Sequence, residues 1–247
     1  MYKFFVLENQ IQDNIVKILG EDVRHITNVL RLKEKEKLIV CNKDTGVSYI
    51  SEITNIFKEN IECKILEKEL ITTESNIHID IYQALPKLDK MEYIIQKATE
   101  IGAKKIIPVV MERCIVKLDE KNTIKKIERW QKIAEVAAKQ SKRDVIPKIE
   151  NVVNITNICN IVQQYDIILI AYENEESNTL KNELKKLNKE KELKIGIVIG
   201  PEGGISEKEI EKLVKCGAKC ITLGKRILRT ETASLVILSD IIYEFEL

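Results

Sequence analysis

Aromatic side chains are scarce in this chain of 247 residues: Phe, Trp and Tyr together make up 5%. An interior of any size must therefore be aliphatic, with isoleucine carrying much of it. Histidine occurs only at positions 25 and 78, and none of the six cysteines (41, 63, 114, 159, 216 and 220) belongs to a Cys-x-x-Cys pair. That leaves no ligand set for a structural metal. Scattered cysteines of this kind, with only Cys216 and Cys220 close in sequence, read as free, buried thiols of a reducing compartment. No apolar run reaches the roughly 18 residues that a membrane helix needs, and MYKFFVLENQ at the start is neither a signal nor a transit peptide. The expected address is cytoplasmic, with no membrane partner. Charge of one sign is not in excess either: 40 basic residues face 39 acidic ones. This excludes a globally polybasic protein and leaves room for a local basic face. Two nucleotide fingerprints are missing as well, since no GxGxxG follows the first strand and no GxxxxGK[ST] occurs.

What is present reads as a soluble globular protein, with 44% hydrophobic and 32% charged residues in a length that suits one large or two small domains. Residues 1–72 hold short, β-branched segments separated by turn signals such as Lys43-Asp44-Thr45-Gly46. The expected strands are Lys3–Leu7, Lys37–Cys41, Val47–Phe57 and Ile61–Leu66, with one helix at Asp22–Leu30. The polar run 72–76 reads as a linker. From 73 to 247 the rhythm alternates β and α, which means a mostly parallel sheet covered by helices. Strands are expected at 77–84, 105–110, 166–172, 193–200 and 220–223. Helices are expected at 89–101, 123–140, 206 onward and 232–245, and a charge-dense exposed helix at 181–194.

Two loops point to a ligand. IGPEGGIS, residues 199–206, joins an apolar strand to a helix opened by a capping box of Ser206 and Glu209. Alone, the turn is a weak signal, equally a tight bend in which Gly203 and Gly204 supply positive φ. The second loop, LGKRILRTETASLVIL at 223–238, also lies between a strand and a helix. Loops leaving the carboxyl ends of neighbouring parallel strands meet on one edge. Together these two make a pocket suited to an adenine-like base against Ile227 and Leu228, with Arg226 and Arg229 available to a phosphate. On spacing alone, the arginines equally suit a solvated face or a partner for Glu231.

The combination IGPEGGIS and LGKRILRTETA resembles the signature of the bacterial 16S ribosomal RNA uridine N3-methyltransferases, members of the SPOUT, or trefoil-knot, superfamily. The resemblance runs along the chain through VLRLK (29–33), LPKLDKMEYIIQKATEIG (85–102), ERC (112–114) and EVAAKQSKRDVIPKI (135–149). It departs at Arg24-His25, where relatives often carry two histidines, and at Cys114, where serine is common. It implies an α/β fold: a PUA-like β-barrel over 1–72 that holds RNA, and a SPOUT domain over 73–247 with a trefoil knot. It also implies a homodimer with the active site near its interface, S-adenosylmethionine as cofactor, and the 16S ribosomal RNA of the small subunit as partner.

On that resemblance the cofactor is expected against Ala171, Tyr172 and Glu173, against Gly200, Glu202, Gly203 and Gly204, and against Leu223, Gly224, Ile227 and Leu228, with Thr232 and Ala233 beneath. Arg229 is the expected catalytic group, favouring negative charge on the substrate, and Glu231 a weaker catalytic candidate as base or orienting partner. For RNA the expected residues are Arg24, His25, Arg31, Lys87, Lys90, Arg113, Gln140, Ser141, Arg143 and Arg226. The stretch 117–148 holds ten basic and five acidic residues, which suits phosphate contact or a solvated helix face. With so few aromatics, recognition by backbone and shape fits better than base stacking. A non-catalytic RNA-binding protein on the same scaffold and a ribose 2′-hydroxyl methyltransferase are the competing readings. The first would have no need of a cofactor pocket.

Overall fold

The computed structural model describes residues 1–116 and 119–246; Lys117, at the start of the basic stretch, Leu118 and Leu247 lie outside the described residues. The chain forms two compact units. The first comprises Met1–Glu74 together with Ala138–Ile146, and the second comprises Ser75–Ala137 and Pro147–Leu247.

The first unit is a six-stranded sheet of β1 (Lys3–Val6), β2 (Ile11–Gln12), β3 (Ile15–Leu19), β4 (Lys37–Asn42), β5 (Ser48–Ile56) and β6 (Asn60–Lys68), in the order β1-β4-β5-β6-β3-β2. Only the β1–β4 pair is parallel. A four-residue helix α1 (Glu21–Arg24) runs into a wider π turn at His25–Val29, filling the span expected to be one helix. Strands β2 and β3 are additions to the expected set. In β3, Val16 and Ile18 point inward, but the outward Ile15 and Leu19 are also apolar. The alternation that marks a half-buried strand is therefore absent from the sequence. The interior is largely aliphatic, built on Val6, Ile18, Ile26, Leu38, Ile53 and Ile61 together with the ring of Phe4, while Phe5 is buried against Cys41 and Ala138. Burial pushes the Cys63 thiol there up to about 12, so it stays protonated.

The segment 138–146 is tied into this unit by ionic contacts. Lys3 Nζ, buried, donates to Asp144 Oδ1 at 2.7 Å, and Ser48 Oγ donates to the same oxygen. The Thr73 amide meets Asp144 Oδ2 at 2.9 Å. Arg143 grips Glu74 at two points, Nε to Oε1 at 3.1 Å and Nη2 to Oε2 at 2.6 Å, while the amides of Asp144 and Val145 also donate to Glu74 Oε1. Lys139 pairs with Asp22 at 2.9 Å.

The second unit carries an all-parallel sheet of β7 (Ile77–Ala84), β8 (Lys105–Val110), β9 (Lys148–Ile149), β10 (Val153–Asn154), β11 (Ile167–Ala171), β12 (Leu193–Ile199) and β13 (Lys219–Ile221). The order is β10-β8-β7-β12-β11-β13, with β9 also on β8. Its helices are α2 (Lys90–Ile101), α3 (Glu120–Gln140), α4 (Ile155–Ile161), α5 (Leu180–Leu184), α6 (Glu207–Lys215) and α7 (Thr230–Glu246). The last residues of α3 count with the first unit. Strands β7, β11 and β12 are largely buried on both faces, as a parallel sheet covered by helices requires; β11 and β12 are mostly apolar, whereas β7 carries His78, Asp80 and Gln83. Ile79, Ile81, Ile106 and Ile168 are fully buried, each worth about 1.5–3 kcal/mol.

Three expectations need correction. The charge-dense helix at 181–194 stops after Leu184, where Asn188 turns the chain by accepting the Glu190 amide with its own side chain. Helix α4 was not expected, because its asparagines favour caps over helix interiors; Asn154 caps it and Ile155 and Ile158 bury its inner face. The cysteines are not all free: Cys159 on α4 and Cys216 at the end of α6 form a disulfide, although 57 positions separate them. Among the described residues no acidic, histidine or cysteine cluster could hold a metal.

One polar network is buried in the sheet. Tyr165 Oη donates to Asp80 Oδ2 at 2.6 Å, His78 Nε2 lies 2.8 Å from Asp80 Oδ1, and the Tyr82 and Tyr165 hydroxyls are 2.8 Å apart. Removal of the Tyr165 hydroxyl leaves a buried carboxylate short of a donor.

Burial works to raise the Asp144 carboxyl, but Lys3, Ser48 and the Thr73 amide outweigh it and hold it at about 2. Its folded value lies below its unfolded one, so its stabilisation is present above about pH 4 and is lost as pH falls toward 2. The expected outcome is that Asp144→Asn costs about 2 kcal/mol or more in urea denaturation at pH 7, with the difference from wild type shrinking at pH 2–3. A difference independent of pH contradicts the assignment.

Candidate functional site

Strand β11 lies between β12 and β13, so the loops that leave these three carboxyl ends are neighbours, although sequence order separates them. They enclose a cavity of about 1160 Å³. Ala171, Tyr172 and Glu173 come from the first loop, Gly200–Gly204 from the second, and Thr222–Thr230 from the third. Ala233 and Lys90 also line it, as do Glu175, Glu176, Thr179 and Ile199. Of the residues expected at the cofactor, only Thr232 is not part of this wall. The third loop follows an edge strand of three residues, Lys219–Ile221, shorter and earlier than the strand expected at 220–223.

The GPEGG turn owes its shape to two different demands. Gly204 takes φ +72, which disfavours any side chain, and a Cβ there would run into the Glu173 carboxylate. Gly203, by contrast, has ordinary φ; what it lacks is room, with Arg113 Cβ 3.3 Å from where a Cβ would sit. Positive φ thus belongs to Gly204 alone of this pair. Gly200 has no space at all beside Ile205. Beyond the turn the expected capping box forms. Ser206 Oγ accepts the Glu209 amide at 3.4 Å, Glu209 Oε2 accepts the Ser206 amide at 3.3 Å, and Glu209 Oε1 also receives the Glu112 amide.

A buried relay, unforeseen from the sequence, fixes the third loop to the sheet. Gln83 on β7 donates through Nε2 to Thr230 Oγ1 at 2.9 Å, and Thr230 Oγ1 donates to the Gly200 carbonyl at 2.7 Å. Ser234 Oγ donates to Gln83 Oε1 at 2.5 Å. The signal was available, since a glutamine in a strand buried on both faces must find partners.

Glu231 does not face the cavity. Its Oε2 is buried, 3.1 Å from Lys90 Nζ. Lys90 Nζ is also 3.1 Å from Glu202 Oε1, which accepts the Lys87 amide at 3.1 Å as well. Burial works to raise Glu202, but these donors outweigh it and hold the carboxyl below its usual range. The Glu231 carboxylate, with Glu202, raises Lys90. Arg229 is exposed and makes no ion pair with a described residue, so it does not pair with Glu231. Arg226 likewise lines the cavity.

The residues expected at RNA part company. Arg24, His25 and Arg31 are exposed in the first unit, the ring of His25 edge-on to Phe4. Gln140 is exposed, and Ser141 is half-buried with its hydroxyl 3.5 Å from the Ala138 carbonyl. Arg143 does not fit that role: it is 4% exposed and engaged with Glu74, so the basic motif there serves the fold. Arg113 Nη1 donates to the Gly203 carbonyl at 3.0 Å, which makes it a buttress of the GPEGG turn. Lys87 reaches Glu202 through its backbone, and Lys90 sits in the cavity wall.

Two family models match the chain: an RNA methyltransferase domain over residues 73–242 and an RNA methyltransferase PUA domain over 18–66. The Bacillus subtilis (strain 168) protein named ribosomal RNA small subunit methyltransferase E is 39% identical, the match covering all of this chain and 98% of that protein. The protein of the same name from Buchnera aphidicola subsp. Acyrthosiphon pisum is 35% identical, covering 93% of this chain and 88% of its own. A crystal structure of a ribosomal RNA small subunit methyltransferase E from Neisseria gonorrhoeae, bound to S-adenosyl methionine, has a TM-score of 0.85 at 31% identity, covering 99% of this chain and 98% of that one.

Thr230→Val keeps volume and removes the hydroxyl on which Gly200 and Gln83 both depend. Leaving the Gly200 carbonyl and one of the two Gln83 Nε2 hydrogens without this partner is expected to cost about 1–3 kcal/mol in urea denaturation. An unchanged midpoint would show that the relay does not hold the loop.

Proposed function

The chain belongs to the small-subunit ribosomal RNA methyltransferase E family, and from that premise we propose that it methylates N3 of one uridine in 16S ribosomal RNA, with S-adenosylmethionine as methyl donor. The observation that carries the reading is the three-loop cavity, a built concavity with glycine-lined backbone on one side and aliphatic Leu223 and Leu228 on the other. Such walls suit a nucleoside: backbone groups read the edge of the base and aliphatic side chains cover its faces. When bound, the cofactor supplies an activated methyl group on a sulfonium, so the protein's own part is alignment and charge.

The reacting nitrogen of uridine is a poor nucleophile while it carries its proton. Arg229, exposed at the cavity with no ion pair to a described residue, suits holding substrate phosphate or favouring the negative charge that develops as the proton leaves. Glu231 is not offered as the base, because its carboxylate faces Lys90. Glu173, whose carboxylate crowds Gly204, borders the same space and suits a cationic cofactor.

The first unit, matched by a PUA model, is read as the part that holds RNA, through Arg24, His25 and Arg31. The further reading is a cytoplasmic homodimer acting on the small subunit, with a trefoil knot in the second unit. In support of the dimer, Ile227 is 87% exposed at the cavity, an apolar side chain that a subunit interface would cover. In support of the knot, α7 returns from beyond the edge strand β13 to pack against α2, β7 and β12 near the middle of the sheet.

Nucleoside mass spectrometry of 16S ribosomal RNA is expected to show one N3-methyluridine that vanishes on gene deletion. A lost 2′-O-methyl mark, or no lost mark, overturns the reading. Arg229→Ala is expected to lower turnover by about 10²–10³-fold with cofactor affinity largely kept. Weakened cofactor binding with unchanged turnover would assign Arg229 to the cofactor instead.

A further inference from the structure

Lys90 stands where three chain segments meet. It is the first residue of α2, Glu202 lies in the turn after β12, and Glu231 is the second residue of α7. Both carboxylates are 3.1 Å from its ammonium, so they are at most about 6 Å from each other. One belongs to the second loop of the cavity and the other follows directly on the third. The same two loops are joined on the buried side by Thr230 and Gly200. The cavity thus has a neutral tie at its floor and an ionic tie at its wall.

The two ties differ in kind. The floor is buried and satisfied by hydrogen bonds, whereas the Lys90 side chain is 25% exposed and lines the cavity. An ion pair open to the cavity on one side contributes less to global stability than the buried floor does. Without the ammonium, however, two carboxylates on opposite loops repel across a short gap. Glu231 Oε2 has no described donor in hydrogen-bond geometry, so its buried charge relies on the nearby ammonium.

We propose that Lys90 is a positioning residue for the cofactor cavity, holding the GPEGG turn and the start of α7 at the spacing the cofactor needs through Glu202 and Glu231. This rests on the reading of the cavity as the S-adenosylmethionine site. It also moves Lys90 from the RNA surface to the cofactor wall, since a phosphate would have to displace two carboxylates.

The test is calorimetric titration of the full chain with S-adenosylhomocysteine, with thermal melting as a check on folding. Lys90→Met is expected to bind about tenfold more weakly, and Lys90→Arg, which keeps the cation, within about threefold of wild type. Glu231→Gln is expected to weaken binding alone but to recover part of the loss in the Lys90→Met background, because it removes one of the two facing carboxylates, whereas independent residues would add their losses. Raising sodium chloride from about 0.05 to 0.5 M is expected to weaken wild-type binding more than that of Lys90→Met. Equal binding by wild type and Lys90→Met, or additive losses in the double variant, overturns the proposal. Should Lys90→Met melt early, the comparison of Glu231→Gln with wild type decides the same question. No binding by wild type would instead sink the reading of the cavity.

Discussion

A single buried hydroxyl links the sheet to the loops that matter. Thr230 Oγ1 receives a hydrogen bond from Gln83, at the end of the central strand, and gives one to Gly200, where β12 ends. Without that link the loop 222–229 would keep the Thr222 amide on the Asn178 carbonyl at its start but lose its tie to Gly200 at its end. With it, the third loop and the first turn of α7 are registered against the second loop, and the cavity acquires a floor. Buried polar groups that satisfy each other in this way specify one arrangement, because every alternative leaves one of them unpaired.

The same economy explains the charged residues around the site. Several of the basic side chains that look available in the sequence are committed. Arg143 holds Glu74, Lys139 holds Asp22, Arg113 supports the Gly203 carbonyl and Lys90 stands between two carboxylates. Arg226 and Arg229 line the cavity without an ion pair to a described residue. A surface that carries no net excess of positive charge can still present cations to RNA if the others are spent internally.

Much of this was legible in the residues. β7 and β8 lie where the apolar runs put them, α2 begins one residue after Asp89, and the Ser206–Glu209 box forms as its spacing requires. The two glycine- and arginine-bearing loops do converge, since parallel strands deliver their following loops to one edge. Less legible were features that depend on partners distant in sequence. β3 shows no clean alternation because two of its three outward residues, Ile15 and Leu19, are apolar, Cys159 meets Cys216 only through the packing of α4 on α6, and Glu231 faces Lys90 only because α2 and α7 start side by side. The motif around Arg143 shows the opposite limit. A basic residue at a helix end reads as an RNA contact until Glu74, some 70 positions earlier, is known to lie against it.

The central claim is that the loops after β11, β12 and β13 together hold the cofactor. Hydrogen exchange of backbone amides with and without S-adenosylmethionine tests it most directly. The account predicts slowed exchange at 171–173, 200–204 and 222–229, with the strands of the first unit unchanged. Protection confined to other segments, with these three loops unaffected, would contradict it.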